Sequence, residues 1–319
     1  MNLYKYEEKP ISNKHMLSLS TYSKEEILQI ISLALKLKDE RKKDIPHPIL
    51  QNKTLAMIFT KSSTRTRVSF EQGIKELGGY GMFLSSNDIQ LGRGEPISDT
   101  AQVLSRMVHG IMIRTFAQSD VEDLAKYGTI PVINGLTDDY HPCQVLADIM
   151  TVYEHKKTLD NLKLSFFGDG NNMANSLMII CAKLGIDVYI ACPKEYEPQS
   201  SIVAMAQKFA EETGSKVVVS QDIKECAADA DVVYTDVFAS MGQEGDAKAR
   251  LDAMLPFQVN AKLMSIAKDD ALFLHCLPAH RGEEVTAEVI DGKQSVVFDE
   301  AENRLHAQKA LMALLMKDN

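Results

Sequence analysis

Residues 54–84 read TLAMIFTKSSTRTRVSFEQGIKELGGYGMFL. TLAMIF (54–59) is an apolar run of strand length. A polar loop follows, then a stretch through RVSFEQGIKEL that reads as a helix stopped by the Gly78–Gly79 pair. YGMFL (80–84) is strand-like again. A strand, a covering helix and a second strand form one crossover unit, and such units build parallel sheets covered on both faces.

The same alternation extends outward from this unit. Upstream, SKEEILQIISLALKLKDE (23–40) reads as a helix. Downstream come a helix near 98–109, the strand GIMIRT (110–115), a helix near 119–127 and the strand TIPVI (129–133). HPCQVLADIMTVYEH (141–155) reads as a long connecting helix, started after His141 because Pro142 disfavours a helical residue before it. A second series then runs LKLSFFG (162–168), a helix at about 171–184, IDVYIAC (186–192), a helix near 200–213, KVVVS (216–220), ADVVYTDV (230–237), ALFLHC (271–276) and SVVFD (295–299). An apolar helix through ALMALLM (310–316) closes the chain. The expectation is an α/β protein with two doubly wound parallel-sheet domains and an active site in the cleft between them. Length agrees, since 319 residues exceed one ordinary core.

Composition narrows the class of partner. The net charge of -9 argues against nucleic acid or an anionic membrane, because neither would be attracted. No run approaches the roughly 20 apolar residues that span a bilayer, and MNLYKYEEKPISNKHMLSLS lacks the apolar core of a signal peptide. The five cysteines are odd in number and lack C-x-x-C spacing, which points to reduced thiols and a cytoplasmic location.

In open α/β sheets, ligands bind beyond the carboxyl ends of the strands, and several polar clusters fall there. KSSTRTR (61–67) puts three cations and four hydroxyls between a strand and a helix. That placement supplies backbone N–H groups and the positive end of a helix dipole. Ser63, Thr64 and Thr66 add hydroxyls, and Arg65 can fork onto phosphate oxygens. The competing reading is a solvated basic turn with a hydroxyl N-cap. Arg67 is better read as structural support within the helix. Arg114 ends a strand and reads equally as a second anion ligand or as an edge residue reaching for water. His141 and Gln144 lie near a helix start, as donors toward a carbonyl or anion.

The second half carries three further clusters. Gly168 and Gly170 in FFGDGNNMANS begin a dinucleotide fingerprint, but Met173 replaces its third glycine and no acid ends the next strand. Asn171 and Asn172 instead offer amides suited to a carboxylate or zwitterion. In DVFASMGQE (236–244), Asp236 suits an ammonium group, and Ser240 with Met241 could complete the grip. In HCLPAHRGEEV (275–285), Cys276 follows an apolar strand and reads as well as a packing residue. Zinc on His141, Cys143, His275 and Cys276 is disfavoured, because the two pairs lie far apart and lack finger spacing.

Taken in order, KSSTRTRVSFE, HPCQVLAD, GDGNNMANS, DVFASMGQE, HCLPAHRGEEV and FDEAENRLH resemble the aspartate/ornithine carbamoyltransferase family, from about residue 54 to 306. The resemblance implies that Ser63, Thr64, Arg65, Thr66, Arg114, His141, Gln144 and Arg304 bind carbamoyl phosphate, together with Cys276 and Leu277. Among these it makes Arg65, Arg114, His141 and Cys276 catalytic. It gives the amino-acid end of L-ornithine to Asn172, Asp236, Ser240 and Met241. It implies a cis Leu277–Pro278 bond and no metal or organic cofactor. It also implies a homotrimer or an assembly of trimers, with Gln90 of SSNDIQLGRGE donated to a neighbour's site. The domains would be 1–141, with helix 305–319 packing back on it, and 142–304. Cys143 and Leu274 depart from common family residues without touching an assigned group. An acceptor without an amino-acid end, such as putrescine, and a catalytically silent anion-binding protein are the alternatives. The implied role is in arginine metabolism, in the biosynthetic direction.

Overall fold

The computed structural model describes residues 2–5, 7–239, 245 and 247–318. The chain divides into two compact units, Met1–Met150 with Glu302–Asn319, and Thr151–Ala301.

The first unit holds α1 (Lys24–Lys42), β1 (Thr54–Phe59), α2 (Thr64–Glu76), β2 (Tyr80–Ser85), α3 (Ile97–Leu104), β3 (Gly110–Arg114), α4 (Gln118–Tyr127), β4 (Val132–Leu136) and the start of α5 (Pro142–Lys156). Its parallel sheet runs β2-β1-β3-β4. Ala56, Ile58, Ile111, Ile113 and Val132 pack against Ala101, Val121 and Leu124 of α3 and α4. The strand order reverses between β1 and β3, so the chains leaving these strands diverge and open a crevice. Phe59 and Arg114 are register partners at that point, so both strands end side by side. Helix α1 starts on a reciprocal capping box, in which Ser23 caps the Glu26 amide and Glu26 returns to the Ser23 amide.

The second unit holds β5 (Lys163–Phe167), α6 (Asn172–Leu184), β6 (Asp187–Ala191), α7 (Ser200–Thr213), β7 (Val217–Ser220), α8 (Ile223–Ala227), β8 (Val232–Thr235), α9 (Ala247–Met254), α10 (Ala261–Met264), β9 (Leu272–His275) and α11 (Ala287–Ile290). The sheet runs β7-β6-β5-β8-β9, again parallel. Here the order reverses between β5 and β8, with Phe167 paired to Thr235 and Thr235 to His275. Helix α12 (Val297–Met316) then carries the chain back into the first unit.

Two sequence expectations need correction. SVVFD is not a strand. Ser295 makes one bridge to Phe273, and α12 begins at Val297, with the Glu300 amide bonded to the Val296 carbonyl at 2.9 Å. A short apolar run fits a buried strand or the first turn of a buried helix equally well. The helix near 98–109 ends at Leu104, where Ser105 donates its hydroxyl to the Ala101 carbonyl at 2.7 Å. Among the described residues, no helix is long and apolar enough to cross a membrane.

Candidate active site

Each unit gathers polar side chains at the carboxyl edge of its sheet. In the first unit, helix α2 begins earlier than expected. Ser63 is its N-cap, accepting from the Thr66 amide at 3.2 Å, so Thr64, Arg65 and Thr66 form the first turn. The N-cap reading of KSSTRTR is the one observed, and it is compatible with an anion site, since capping leaves the helix start built and the remaining N–H groups aimed outward.

The cations of this stretch divide by role. Lys61 is buried, bonded to Asp138 at 2.5 Å and set 4.0 Å over the Phe116 ring. Arg67 pairs with Glu71 at 3.3 Å and lies 3.8 Å over the Phe83 ring. Both are supports, which corrects the expectation that Lys61 belongs to a cationic ligand cluster. Arg65 stands half-buried in the first turn of α2.

A buried hydrogen-bonded chain extends from that turn. Arg304 donates to Gln144 Oε1 at 2.6 Å and to Thr66 Oγ1 at 3.3 Å, and Gln144 donates to Asp148 at 2.8 Å. Thr66 Oγ1 also accepts from the Ser63 hydroxyl at 3.0 Å. With both lone pairs so used, the Thr66 hydroxyl proton is left to donate. Asp148, the last residue of HPCQVLAD, is fully buried and had no role assigned from sequence; its spacing of one helical turn from Gln144 was the available signal.

His141 is buried at the start of α5, and its pKa lies well below the ordinary histidine value. Burial is the main cause, followed by the charges of Arg304, Arg114 and Arg65. Guanidiniums from distant parts of the chain thus act on one neutral imidazole, a strongly positive and dry setting for an anion. Cys143 behind it donates to the Asn134 carbonyl at 3.4 Å, and burial pushes its thiol up to about 12. Gln90 lies apart on an exposed 3-10 turn, Gln90–Arg93.

In the second unit, Asn171 rather than Asn172 does the capping. Its Oδ1 accepts from the Met173 and Ala174 amides at 2.9 and 3.3 Å, while its Nδ2 donates to Asp236 at 2.9 Å. Asn172 is the first residue of α6. Asp236, just past β8, also accepts from the Val237 amide at 2.8 Å and the Cys276 thiol at 3.1 Å. Asp169 sits near Asp236. Burial pushes Asp169 up to about 6, opposed by Arg250 at 2.9 Å and aided by the Asp236 charge. Ser240 and Met241 lie outside the described residues.

Gly170 has a packing reason rather than a pyrophosphate reason. A Cβ there would come within 2.3 Å of Pro198 N and 2.5 Å of Tyr196 O. Leu277 has φ of 56°, and Leu277–Pro278 is cis. Ligand atoms of Asp236, His275 and Cys276 lie within 4.8 Å of one another, but both His275 nitrogens are committed, to Glu284 at 3.1 Å and to the Leu277 amide at 2.9 Å. That commitment leaves the ring no lone pair for a metal.

The chain was compared with known proteins. The carbamoyl-P binding domain of aspartate/ornithine carbamoyltransferase matches residues 14–154, and the Asp/Orn binding domain matches residues 160–315. The ornithine carbamoyltransferase of Carboxydothermus hydrogenoformans is 57% identical over 303 residues, 95% of this chain and 97% of that protein. The solved ornithine carbamoyltransferase of Pyrococcus furiosus is similar with a TM-score of 0.92 at 54% identity, over 95% of this chain and 96% of that one. The anabolic enzyme of that name from Campylobacter jejuni gives 0.91 at 45% identity, over 96% and 100%.

Proposed function

The chain belongs to the aspartate/ornithine carbamoyltransferase family, and from that premise we propose that it transfers the carbamoyl group of carbamoyl phosphate to the δ-amine of L-ornithine, giving L-citrulline and phosphate. The observation that carries this reading is the set of guanidiniums, Arg65, Arg114 and Arg304, acting on buried His141 at the carboxyl edge of a parallel sheet. The first turn of α2 receives the phosphate through backbone N–H groups, Ser63, Thr64, Arg65 and Thr66. Arg304 and Gln144 hold Thr66 and the surrounding wall in place.

Transfer begins with the neutral δ-amine attacking the carbamoyl carbon. The new N–C bond pushes charge onto the carbonyl oxygen, and the C–O bond to phosphate then breaks. Arg65, Arg114, the Thr66 hydroxyl and neutral His141 are donors for that charge, with Thr66 and His141 buried away from water. The nitrogen sheds a proton as phosphate leaves, and the phosphate oxygen that receives the electron pair of the broken C–O bond can take it up. An alkyl amine has a pKa of about 10.4, so the site must bind ornithine with its δ-amine unprotonated. Asp236 takes the α-ammonium group, Asn172 the carboxylate end, and Cys276 with the Leu277 carbonyl the reacting amine. Ser240 and Met241 are assigned to the same end of ornithine. Asp236 matters for the choice of acceptor, because putrescine would leave this buried carboxylate without a cation.

We assign the reaction to arginine biosynthesis, a choice supported by the anabolic enzyme of Campylobacter jejuni, and place it in the cytoplasm. A trimer is the proposed assembly, with Gln90 reaching a neighbour's site. Exposed Gln90 and the exposed apolar residues Tyr80, Met82 and Phe83 on edge strand β2 support it. Carbamoyl phosphate and L-ornithine should yield citrulline and phosphate in equal amounts. Phosphate release without citrulline would contradict the proposal.

A further inference from the structure

His275 and Glu284 are both fully buried, and neither is itself assigned to a substrate. Their hydrogen bonds lead instead to the turn after β9. The Leu277 amide donates to His275 Nδ1 at 2.9 Å, and Nε2 of the same ring meets Glu284 at 3.1 Å. A backbone amide can only donate, so Nδ1 must be the unprotonated nitrogen and Nε2 must carry the proton. Glu284, whose carboxylate accepts, holds that tautomer. Glu284 Oε1 also receives the His280 amide at 2.5 Å, and Glu300 receives the His275 amide at 2.9 Å and the Tyr234 hydroxyl at 3.0 Å.

This relay fixes an unfavourable backbone. Leu277 sits at φ 56°, a region that side chains with a Cβ avoid unless their surroundings impose it. The bond from Leu277 N–H to the imidazole is one such constraint, and it sets the direction of the adjoining peptides. Cys276, one residue earlier, uses its thiol on Asp236.

We propose that Glu284 and His275 are positioning residues that hold Cys276 and the Leu277 carbonyl against the acceptor amine by fixing one imidazole tautomer. The purpose of the relay rests on the carbamoyl-transfer reading, in which Cys276 and Leu277 face that amine. Glu284 supplies an acceptor only, so its replacement by a group that still accepts should retain much of the effect. Asparagine in place of His275 likewise offers an oxygen near the Nδ1 position for the Leu277 amide.

The test compares full-length Glu284→Ala, Glu284→Gln and His275→Asn with the parent. Glu284→Ala should lower kcat/KM for ornithine by about a hundredfold, the scale expected when a buried partner is left unsatisfied. Glu284→Gln and His275→Asn should each lose about tenfold or less, and carbamoyl phosphate affinity should hold within about twofold in all of them. Hydrogen exchange at the Leu277 amide should speed up in Glu284→Ala and stay slow in the two conservative variants. Equal losses in the alanine and glutamine variants would overturn the relay, as would parallel falls in carbamoyl phosphate affinity and Tm. Unchanged Leu277 exchange in Glu284→Ala would overturn it too. Because exchange is read without turnover, a parent that forms no citrulline would refute the transfer reaction separately from the hydrogen-bond relay.

Discussion

Arg304 donates to Gln144 Oε1 at 2.6 Å, and the other end of the same amide donates to buried Asp148 at 2.8 Å. A carboxylate offers only acceptors, so Asp148 decides which end of Gln144 faces the guanidinium. Asp148→Asn can present its own N–H groups and let the amide turn, setting donor against donor at Arg304. The expected outcome is a loss of roughly tenfold to a hundredfold in carbamoyl phosphate affinity, in line with a disrupted bond to a charged group. Ornithine KM at saturating carbamoyl phosphate should change little. Isothermal titration with carbamoyl phosphate measures the first, and initial rates measure the second.

Arg65→Ala removes the cation in the first turn of α2, while Lys61 and Arg67 remain occupied by Asp138 and Glu71. Each charge-assisted bond contributes about 1.5–3 kcal/mol, so loss of two should remove measurable carbamoyl phosphate binding. Arg67→Ala should cost less than about tenfold, since an exposed helix pair contributes little. If the two substitutions had equal effects, the division of cations argued from their partners would be wrong.

Asp236→Asn keeps the shape of the site but removes the charge that meets the α-ammonium. Ornithine KM should rise about a hundredfold, with carbamoyl phosphate affinity nearly unchanged. The substituted amide also faces Asn171 Nδ2 and the Cys276 thiol, both of which donate to Asp236 in the parent. Matching losses for both substrates in binding and rate measurements would place Asp236 in a general structural role.

His306 gives a prediction for pH. Burial holds its pKa down to about 3, with Lys309, Lys38 and Arg41 adding to the effect. Unfolding restores a value near 6.5, so between these limits the unfolded chain takes up a proton that the folded chain refuses. The stability from this group is therefore complete above about pH 6.5 and is lost as pH falls toward about 3, at about 1.4 kcal/mol per pH unit. His141 acts in the same direction. Comparing urea midpoints at pH 7 and pH 5, His306→Gln should lose about 2 kcal/mol less than the parent. Equal losses would mean that His306 is not held neutral.

Much of the architecture was legible because buried parallel strands are short apolar runs, as in TLAMIF and LKLSFF, separated by helices with glycine stops. SVVFD misled because a helix entering a core opens with the same residues. At the site, residue types pointed to the right neighbourhoods while individual partnerships stayed hidden. Lys61 looks like an anion ligand until Asp138, 77 residues later, is seen beside it. Asn171 and Asn172 are indistinguishable in composition, and only the exact first turn of α6 tells which one caps. Asp148 and Glu284 lie inside HPCQVLAD and HCLPAHRGEEV and Arg250 lies outside every motif, but none of the three had a role legible in sequence, because each acts through a residue that the fold brings near.

The most direct test is the initial rate of carbamoyl transfer from carbamoyl phosphate to L-ornithine, putrescine, L-lysine and L-aspartate under matched conditions. Citrulline formation from L-ornithine should exceed product from putrescine by at least about a hundredfold, because putrescine leaves the Asp236 carboxylate without its cation. L-lysine and L-aspartate, which carry the α-ammonium but place the rest of the side chain at a different reach from it, should also react more slowly. Faster transfer to putrescine, or no transfer to any amine despite tight binding of carbamoyl phosphate, would contradict the assignment.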